Sequence, residues 1–467
     1  MHATLRTPKL STRRLANDLR DIFTTRRDGT TWAKADHTLA VAPRYIEALV
    51  LPGKHKTLRG IGTRMDLPED RVRRFISRSP WDHGALQDHL NQNIPDAVRS
   101  KSSMLVVDDV GLLKQGKHSP GVQRQYTGAA GKITNCQAAV DLILAVPGKK
   151  RNADQVTWPL GMELYVPQKW LEDPAYEQRR RRAAIPEDLA FRKKAEIALD
   201  MIARARDHGV EHACIGADTD YGDRGQFRAQ LRKWNEPYVV AVTPSQLRVI
   251  PEDTPLIQPG TGPGSGRKRV RHAAGVTAKS PAQLAEQIDA WTTIAWSEGT
   301  KDALSAPFHV SRIRVVNDAT NRYVSDETGW LILERRSDQD LRAFLAWGVD
   351  DWPPDRLVEY AHLRWTIEQF HREAKQELGL DHFEGRTWKG WHHHVSAVLL
   401  AYALLAELRV EQHGSPGPLP AFPQVVRAVV HEVATQSAME EGLDRQTAKR
   451  IASAMVRKLT DWGKPPK

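Results

Sequence analysis

The chain has 467 residues, of which 40% are hydrophobic and 27% charged, and its formal net charge is +11. That length suits two or three domains, and the composition excludes a low-complexity chain and fits a soluble globular one. Its two cysteines, Cys136 and Cys214, form neither a disulfide framework nor a zinc-ligand pattern, which points to a reducing cytoplasm.

The N-terminus lacks an apolar signal core. The longest apolar run, residues 395–406, is shorter than the roughly 18 residues of a membrane span and reads as a buried helix. Residues 1–100 carry 18 Lys/Arg against 11 Asp/Glu, an asymmetry that points to a polyanionic partner such as nucleic acid. This segment reads as a helical domain, with helices predicted over 12–23, 44–51, 56–65 and 69–77. The last two are separated by Asp66-Leu67-Pro68, and the second carries Arg71, Arg73 and Arg74, with Arg78 just beyond it. Helix, short turn and basic helix suit a helix-turn-helix lying in a DNA groove, while a small bundle with a solvated basic face is the other reading.

From residue 103 the texture changes. Met104-Leu105-Val106-Val107 reads as a buried strand ending at Asp108-Asp109. Residues 111–117 approach a phosphate-binding P-loop. His118 stands where Ser or Thr would hold Mg²⁺, and Pro120-Gly121 prevents a following helix, so that reading fails. The loop stays basic through Lys114, Lys117, Arg124 and Lys132. Further strands are predicted at 136–146, 161–166, 212–216 and 238–242, and helices at 187–207 and 226–234. Three strands, helix, strand, helix, strand predict an α/β sheet with helices on its faces, over 101–242.

Residues 243–350 are predicted as a β-rich insertion, with a Gly/Pro linker at 260–266, the run Arg267-Lys268-Arg269, and strands at 292–296, 309–316 and 329–333. Trp291, Trp296, Trp330 and Trp347 read as core packing ahead of stacking platforms for an extruded base. Residues 351–412 return to the sheet domain, and 413–467 form a helical C-terminal region with a basic tail from Lys464 to Lys467. Residues 360–380 are predicted as one helix. Leu363, Ile367, Phe370 and Ala374 make its buried stripe, and Arg364, Glu368, His371 and Lys375 lie on another side.

Asp108 and Asp218 each follow a predicted strand, and carboxylates at strand ends of one sheet project at the same rim. Together with Glu368 they could hold two Mg²⁺ ions about 3.5–4 Å apart, clamping the attacking and leaving oxygens of a phosphodiester.

The succession of motifs resembles the bacterial insertion-sequence transposases of the DDE type, over about residues 103–390. It rests on Val106-Val107-Asp108-Asp109 with Gly111 and Lys114, on the stretch from Gly116 through Arg124-Gln125-Tyr126, and on Gly131-Lys132 with Asn135-Cys136-Gln137. It continues through Ala217-Asp218-Thr219-Asp220-Tyr221-Gly222, Arg364-Trp365-Thr366-Ile367-Glu368 with Lys375, and Gly379-Leu380-Asp381-His382. The resemblance implies a ribonuclease-H-like mixed sheet, and Asp108, Asp218 and Glu368 as catalytic acids and ligands of two Mg²⁺, with Mn²⁺ as substitute. It implies strand cleavage and strand transfer at insertion-sequence ends, by cut-and-paste through a hairpinned end. The partners implied are double-stranded inverted repeats and target DNA, with a homodimer in the DNA complex and the bacterial nucleoid as the place of action. Arg364, Lys375 and Tyr360 would contact DNA, along with Lys114, Lys117, Arg124, Arg71, Arg73 and Arg74.

The class signature sets a tyrosine three residues before the arginine. Here Ala361 occupies that position and Tyr360 lies one residue further off. Asp109 is an alternative to Asp108, and Asp220 and Asp223 are alternatives to Asp218. His392-His393-His394 point in different directions around a helix and read as partly exposed and structural. A domesticated DNA-binding relative without cleavage and a stand-alone nuclease are the competing functions.

Overall fold

The computed structural model describes residues 19–25, 29–32, 35–53, 55–128, 130–148, 155–258, 270–296, 304–316, 323–337, 339–411 and 419–462. The linker at 260–266, the run from Arg267 to Arg269, the tail from Lys464 and most of the helix predicted at 12–23 lie outside the described residues.

Met104, Leu105, Val106 and Val107 are fully buried and open strand β1 (Met104–Leu113). A run apolar on both faces belongs in the middle of a sheet covered on both sides, and β1 lies there. On one side it pairs antiparallel with β3 (Lys132–Val146), whose far edge pairs with β2 (Gln123–Thr127) at one end and β4 (Val156–Tyr165) along the rest. On the other side β1 runs parallel to β5 (Cys214–Ala217), which runs parallel to β6 (Tyr238–Val242). The strand predicted at 161–166 begins earlier, at Val156, because Val156, Thr157 and Trp158 are buried against β3. The helix predicted from 187 begins at Lys194, where the Glu196 carboxylate accepts the Lys193 amide and caps the first turn.

Among the described residues six helices precede the sheet: α1 (Arg20–Thr24), α2 (Ala35–Leu39), α3 (Ala42–Val50), α4 (Leu58–Met65), α5 (Glu69–Ser77) and α6 (His83–Gln92). Thr57 caps α4 by accepting the Gly60 amide, and Asp66 ends it in the left-handed region at φ 50°. Helix α5 follows after three residues, burying Val72, Phe75 and Ile76 and exposing Arg71, Arg73 and Arg74.

Between β4 and β5 come α7 (Gln168–Glu172), α8 (Glu177–Arg182) and α9 (Lys194–Asp207); between β5 and β6 come α10 (Thr219–Gly222) and α11 (Gly225–Lys233). The stretch predicted as an insertion holds β7 (Val249–Pro251), β8 (Leu256–Ile257), β9 (Arg271–His272), α12 (Pro281–Ala285), β10 (Thr292–Trp296), β11 (Leu304–Val316), β12 (Val324–Ser337) and β13 (Asp340–Trp347). It does not stand apart. Strand β13 pairs antiparallel with β6, and β12, β11 and β10 follow in order, giving one eleven-stranded, mostly antiparallel sheet among the described residues. Of its tryptophans, Trp296 is buried against the His362 ring, 4.1 Å between centroids, and Trp291, Trp330 and Trp347 are partly buried against the same core.

Residues 360–380 form two helices rather than one: α13 (Pro354–Leu363) and α14 (Trp365–Leu378), meeting at Arg364. The Thr366 hydroxyl donates to the Leu363 carbonyl at 2.8 Å, a side-chain bond that competes with the helical ladder at the break. The predicted stripe of Leu363, Ile367, Phe370 and Ala374 is buried as expected.

Among the described residues three helices follow, α15 (Trp388–Glu411), α16 (Phe422–Glu440) and α17 (Arg445–Trp462). Helix α15 is long and apolar enough to cross a membrane by length and composition, but most of it is buried inside the protein, packed on β4, α3, α5 and α6. Its three histidines are buried too, which corrects the expectation of partial exposure. His393 stacks on Trp81 with its ring nitrogens 2.8 and 2.9 Å from the Ile76 and Trp81 carbonyl oxygens, and His394 lies between Tyr45 and the Gly379 carbonyl.

Candidate active site

Val107 lies level with Ala217 across the parallel β1–β5 pair, so Asp108 and Asp218 come next on neighbouring strands. Asp218 caps α10, accepting the Asp220 amide at 2.9 Å, while the Gly222 amide donates to its carbonyl at 2.7 Å. Only glycine fits at 222, since a Cβ there would come 1.9 Å from the Ala241 carbonyl oxygen. The motif glycine therefore lets α10 lie directly on β6 and fixes the turn that starts at Asp218.

Neighbouring residues of a strand face opposite ways, and this separates the two candidates on β1. Asp108 faces α14, where the Arg364 guanidinium donates to Asp108 Oδ2 and Glu368 Oε1, each at 3.1 Å. Asp109 faces α9 and is paired with Lys194 at 2.7 Å. Arg364, at the break between α13 and α14, thus joins Asp108 to Glu368, whose side chain is 53% exposed and open to a ligand. Burial first, then the Asp218 carboxylate, push Asp108 up to about 7, with Arg364 opposing. Burial pushes Asp218 up to about 6, against the pull of Arg364 and helped by Asp220 and Asp109. Two crowded, desolvated carboxylates short of positive charge are what a cation-binding cluster looks like without its cation.

Two further residues belong to this face. Asp141 on β3 is the cross-strand partner of Asp108 and is fully buried. Its Oδ2 lies 2.8 Å from His371 Nε2 on α14, one turn past Glu368, and its Oδ1 has no partner. Sequence inspection placed His371 on the polar side of the helix without a role and passed over Asp141. The signal was an acid inside an otherwise apolar strand, but only the β1–β3 register shows that it meets Asp108. Asp108, Asp218 and Glu368 offer only carboxylate oxygens, the donor type that a hard divalent cation such as Mg²⁺ takes, and Asp141, across from Asp108, leaves one oxygen without a partner.

The other predicted contacts are scattered. Lys375 Nζ donates to the Gly111 carbonyl at 3.1 Å, along β1 from Asp108. Lys114 is engaged rather than presented outward: it donates to the Phe383 carbonyl at 2.7 Å and holds the loop after α14, and burial lowers it to about 8. Lys117 and Arg124 are exposed, Arg124 on the β2–β3 ribbon beside Tyr126, which is 69% exposed. Arg71, Arg73 and Arg74 are exposed on α5, with Arg73 paired to Glu69 and Arg74 to Asp70. Tyr360 sits on α13 rather than on the helix of Glu368. It is buried, its hydroxyl donates to the Ser102 carbonyl, and its ring packs on Trp352, so it props the entry to β1 and is withdrawn as a DNA contact.

A probable transposase for insertion sequence element IS701 from Microchaete diplosiphon is 29% identical over 191 residues, 40% of this chain and 45% of that protein. The chain thus spans less than half of that relative's length. A solved piggyBac transposase synaptic complex with hairpin DNA aligns over 96% of this chain and 81% of its own at 10% identity, with a TM-score of 0.41, a likeness too slight to fix the fold. The family described as DDE superfamily endonuclease matches residues 24–303, more than half of the sequence, a range that includes Asp108 and Asp218 but not Glu368. The chain belongs to the DDE superfamily of endonucleases.

Proposed function

We propose that the chain is a DNA transposase that cuts and rejoins strands at the ends of an insertion sequence, with Asp108, Asp218 and Glu368 as its catalytic carboxylates. The observation that carries this reading is that Asp108, midway along β1, neighbours Asp218, just past the end of the parallel strand β5, with Arg364 joining Asp108 to Glu368. The path β4-β3-β1-β5-β6, antiparallel over its first three strands and parallel over the last, supports a ribonuclease-H-like core built from 101–242 and 351–412. The strands of 243–350 widen that sheet, residues 1–100 supply a DNA-reading domain through α4 and α5, and 413–467 form a helical end.

Asp108, Asp218 and Glu368 would hold the divalent ions, Mg²⁺ or Mn²⁺, which supply an activated water or 3′-hydroxyl and neutralise charge on the phosphodiester. The residues around them act directly. His371 on α14 is bonded to Asp141, the residue across from Asp108 on β3, and so would help hold α14 against the strand that carries Asp108. Arg364 has donors left over from its two carboxylates, and those suit a phosphate oxygen. Lys117, Arg124 and the arginines of α5 lie on exposed surfaces suited to the phosphate backbone. Two ends must meet for joining, which calls for a homodimer on DNA.

The test uses the full chain with its own end sequence and Mg²⁺ or Mn²⁺. Asp218→Asn and Glu368→Gln are each expected to abolish cleavage, by more than a hundredfold, while DNA binding stays within about threefold. Near-normal cleavage by either variant removes that residue from the site. Cleavage without any joining of the freed 3′-end to target DNA assigns a nuclease instead, and tight binding without cleavage assigns a silent DNA-binding relative.

A further inference from the structure

A second group of ligating side chains lies away from the carboxylate cluster. His83 opens α6, Glu163 lies on β4 and His392 is on α15, so an N-terminal helix, the sheet and the long buried helix meet there. One ligand atom from each lies within 4.8 Å of the other two, and this is the one such cluster of His, Cys, Asp or Glu among the described residues. We propose that His83, Glu163 and His392 bind one divalent transition cation of the zinc type, which fastens the N-terminal helices to the sheet. The inference does not depend on the reading of the Asp108 cluster.

The tautomer of His392 carries the argument. Its Nδ1 lies 3.0 Å from the Trp388 carbonyl oxygen, one turn earlier on the same helix. A carbonyl oxygen only accepts, so Nδ1 bears the hydrogen, and in the neutral ring Nε2 is left with a lone pair. That nitrogen is buried and faces Glu163 Oε2 at 3.3 Å. At that distance a bare lone pair and a carboxylate oxygen repel, so a cation lies between them, either a metal ion or a proton. A ring whose other nitrogen is anchored to a backbone carbonyl is the usual arrangement of a histidine metal ligand.

Two neutral imidazoles and one carboxylate are a donor set that zinc takes, with water completing the shell. Ligands on a tetrahedral shell with bonds of about 2.0–2.1 Å lie roughly 3.3 Å apart, so side-chain rotation from the present spacing suffices. Imidazole nitrogens select against Mg²⁺, which separates this site from the all-oxygen cluster at Asp108. The competing occupant is a proton on His392 Nε2, making a simple ion pair with Glu163.

The experiment uses the full chain in an Asp218→Asn background, so that zinc at the carboxylate cluster is not counted. After chelator treatment and reloading, bound zinc and the melting temperature are measured, with Co²⁺ absorption as a report of tetrahedral nitrogen-containing coordination. The parent is expected to retain one zinc per chain and to melt several degrees higher with it, while Mg²⁺ gives no shift. His83→Asn and the near-isosteric Glu163→Gln, each with unchanged circular dichroism, are expected to weaken zinc at least about tenfold and to lose the shift. A folded parent that retains no zinc, or a folded Glu163→Gln that retains it as tightly as the parent, overturns the proposal and leaves the protonated pair.

Discussion

Asp108 and Asp218 are held near pKa 7 and 6, well above the ordinary 3.8 of an aspartate, and that has two readable consequences. A carboxyl whose folded-state pKa is raised binds its proton more tightly in the folded chain than in the unfolded one. In the metal-free protein the pair therefore subtracts stability as pH rises from about 4 to about 7, and the deficit is complete above that. Asp218→Asn removes one of the two charges. With chelator present it is expected to stabilise the chain on the order of 1–2 kcal/mol at pH 8 and by nothing measurable at pH 4, read by thermal melts at both values. Cleavage follows the opposite direction, because cation binding needs ionised carboxylates. It is expected to fall as pH drops through about 7 to 6, rather than near 4. Asp108, Asp218 and Glu368 were singled out in the sequence because two of them follow apolar runs and the third sits in a spaced helical motif, although β1 runs on past Asp108 to Leu113 instead of ending there. Asp141 and His371 were not, since the sequence says nothing of which residue lies across from Asp108.

At the level of elements, helices and strands were legible wherever periodicity or an apolar run was strong, and missed where a side chain interrupts the backbone. Thr366 splits the helix that carries Arg364 and Glu368, and nothing in the apolar stripe announces it, since Leu363 and Ile367 keep their helical spacing across the break. The predicted insertion was recognised by its strands but not by its attachment, because pairing between β13 and β6 depends on residues about a hundred positions apart. Its attachment is locked by a buried ion pair. Arg228 on α11 donates to Glu327 on β12 at 2.6 and 3.2 Å, the Tyr238 hydroxyl donates to the same carboxylate, and Arg228 and Glu327 are 3% and 1% exposed. Removing one partner of such a pair leaves the other charged and desolvated. Glu327→Ala is expected to destabilise the chain by about 3–5 kcal/mol in denaturant unfolding. A loss below 1 kcal/mol would show that the two parts of the sheet do not depend on this lock.

For the whole molecule, the proposed DNA contacts of the exposed α5 arginines, on a chain of net charge +11, would make binding fall as salt rises. Each phosphate contact contributes about 0.9 to the slope of log affinity against log salt, so Arg71→Ala is expected to flatten that slope by about one in a titration series. An unchanged slope would remove α5 from the DNA interface. The central strand β1 also determines when the protein can act during its own synthesis. Its neighbour β3 follows within a few dozen residues, but the parallel partner β5 and the helix bearing Glu368 come much later in the chain. At ~5–20 residues per second a ribosome takes on the order of tens of seconds to pass from Asp108 to Glu368. Until β5 is made β1 has one free edge, and until α14 is made Asp108 lacks both Arg364 and Glu368. The N-terminal helices wait longer still, because α15, against which α3, α5 and α6 pack, follows α14 in the chain. The earliest part of the chain is thus among the last to find its packing partner.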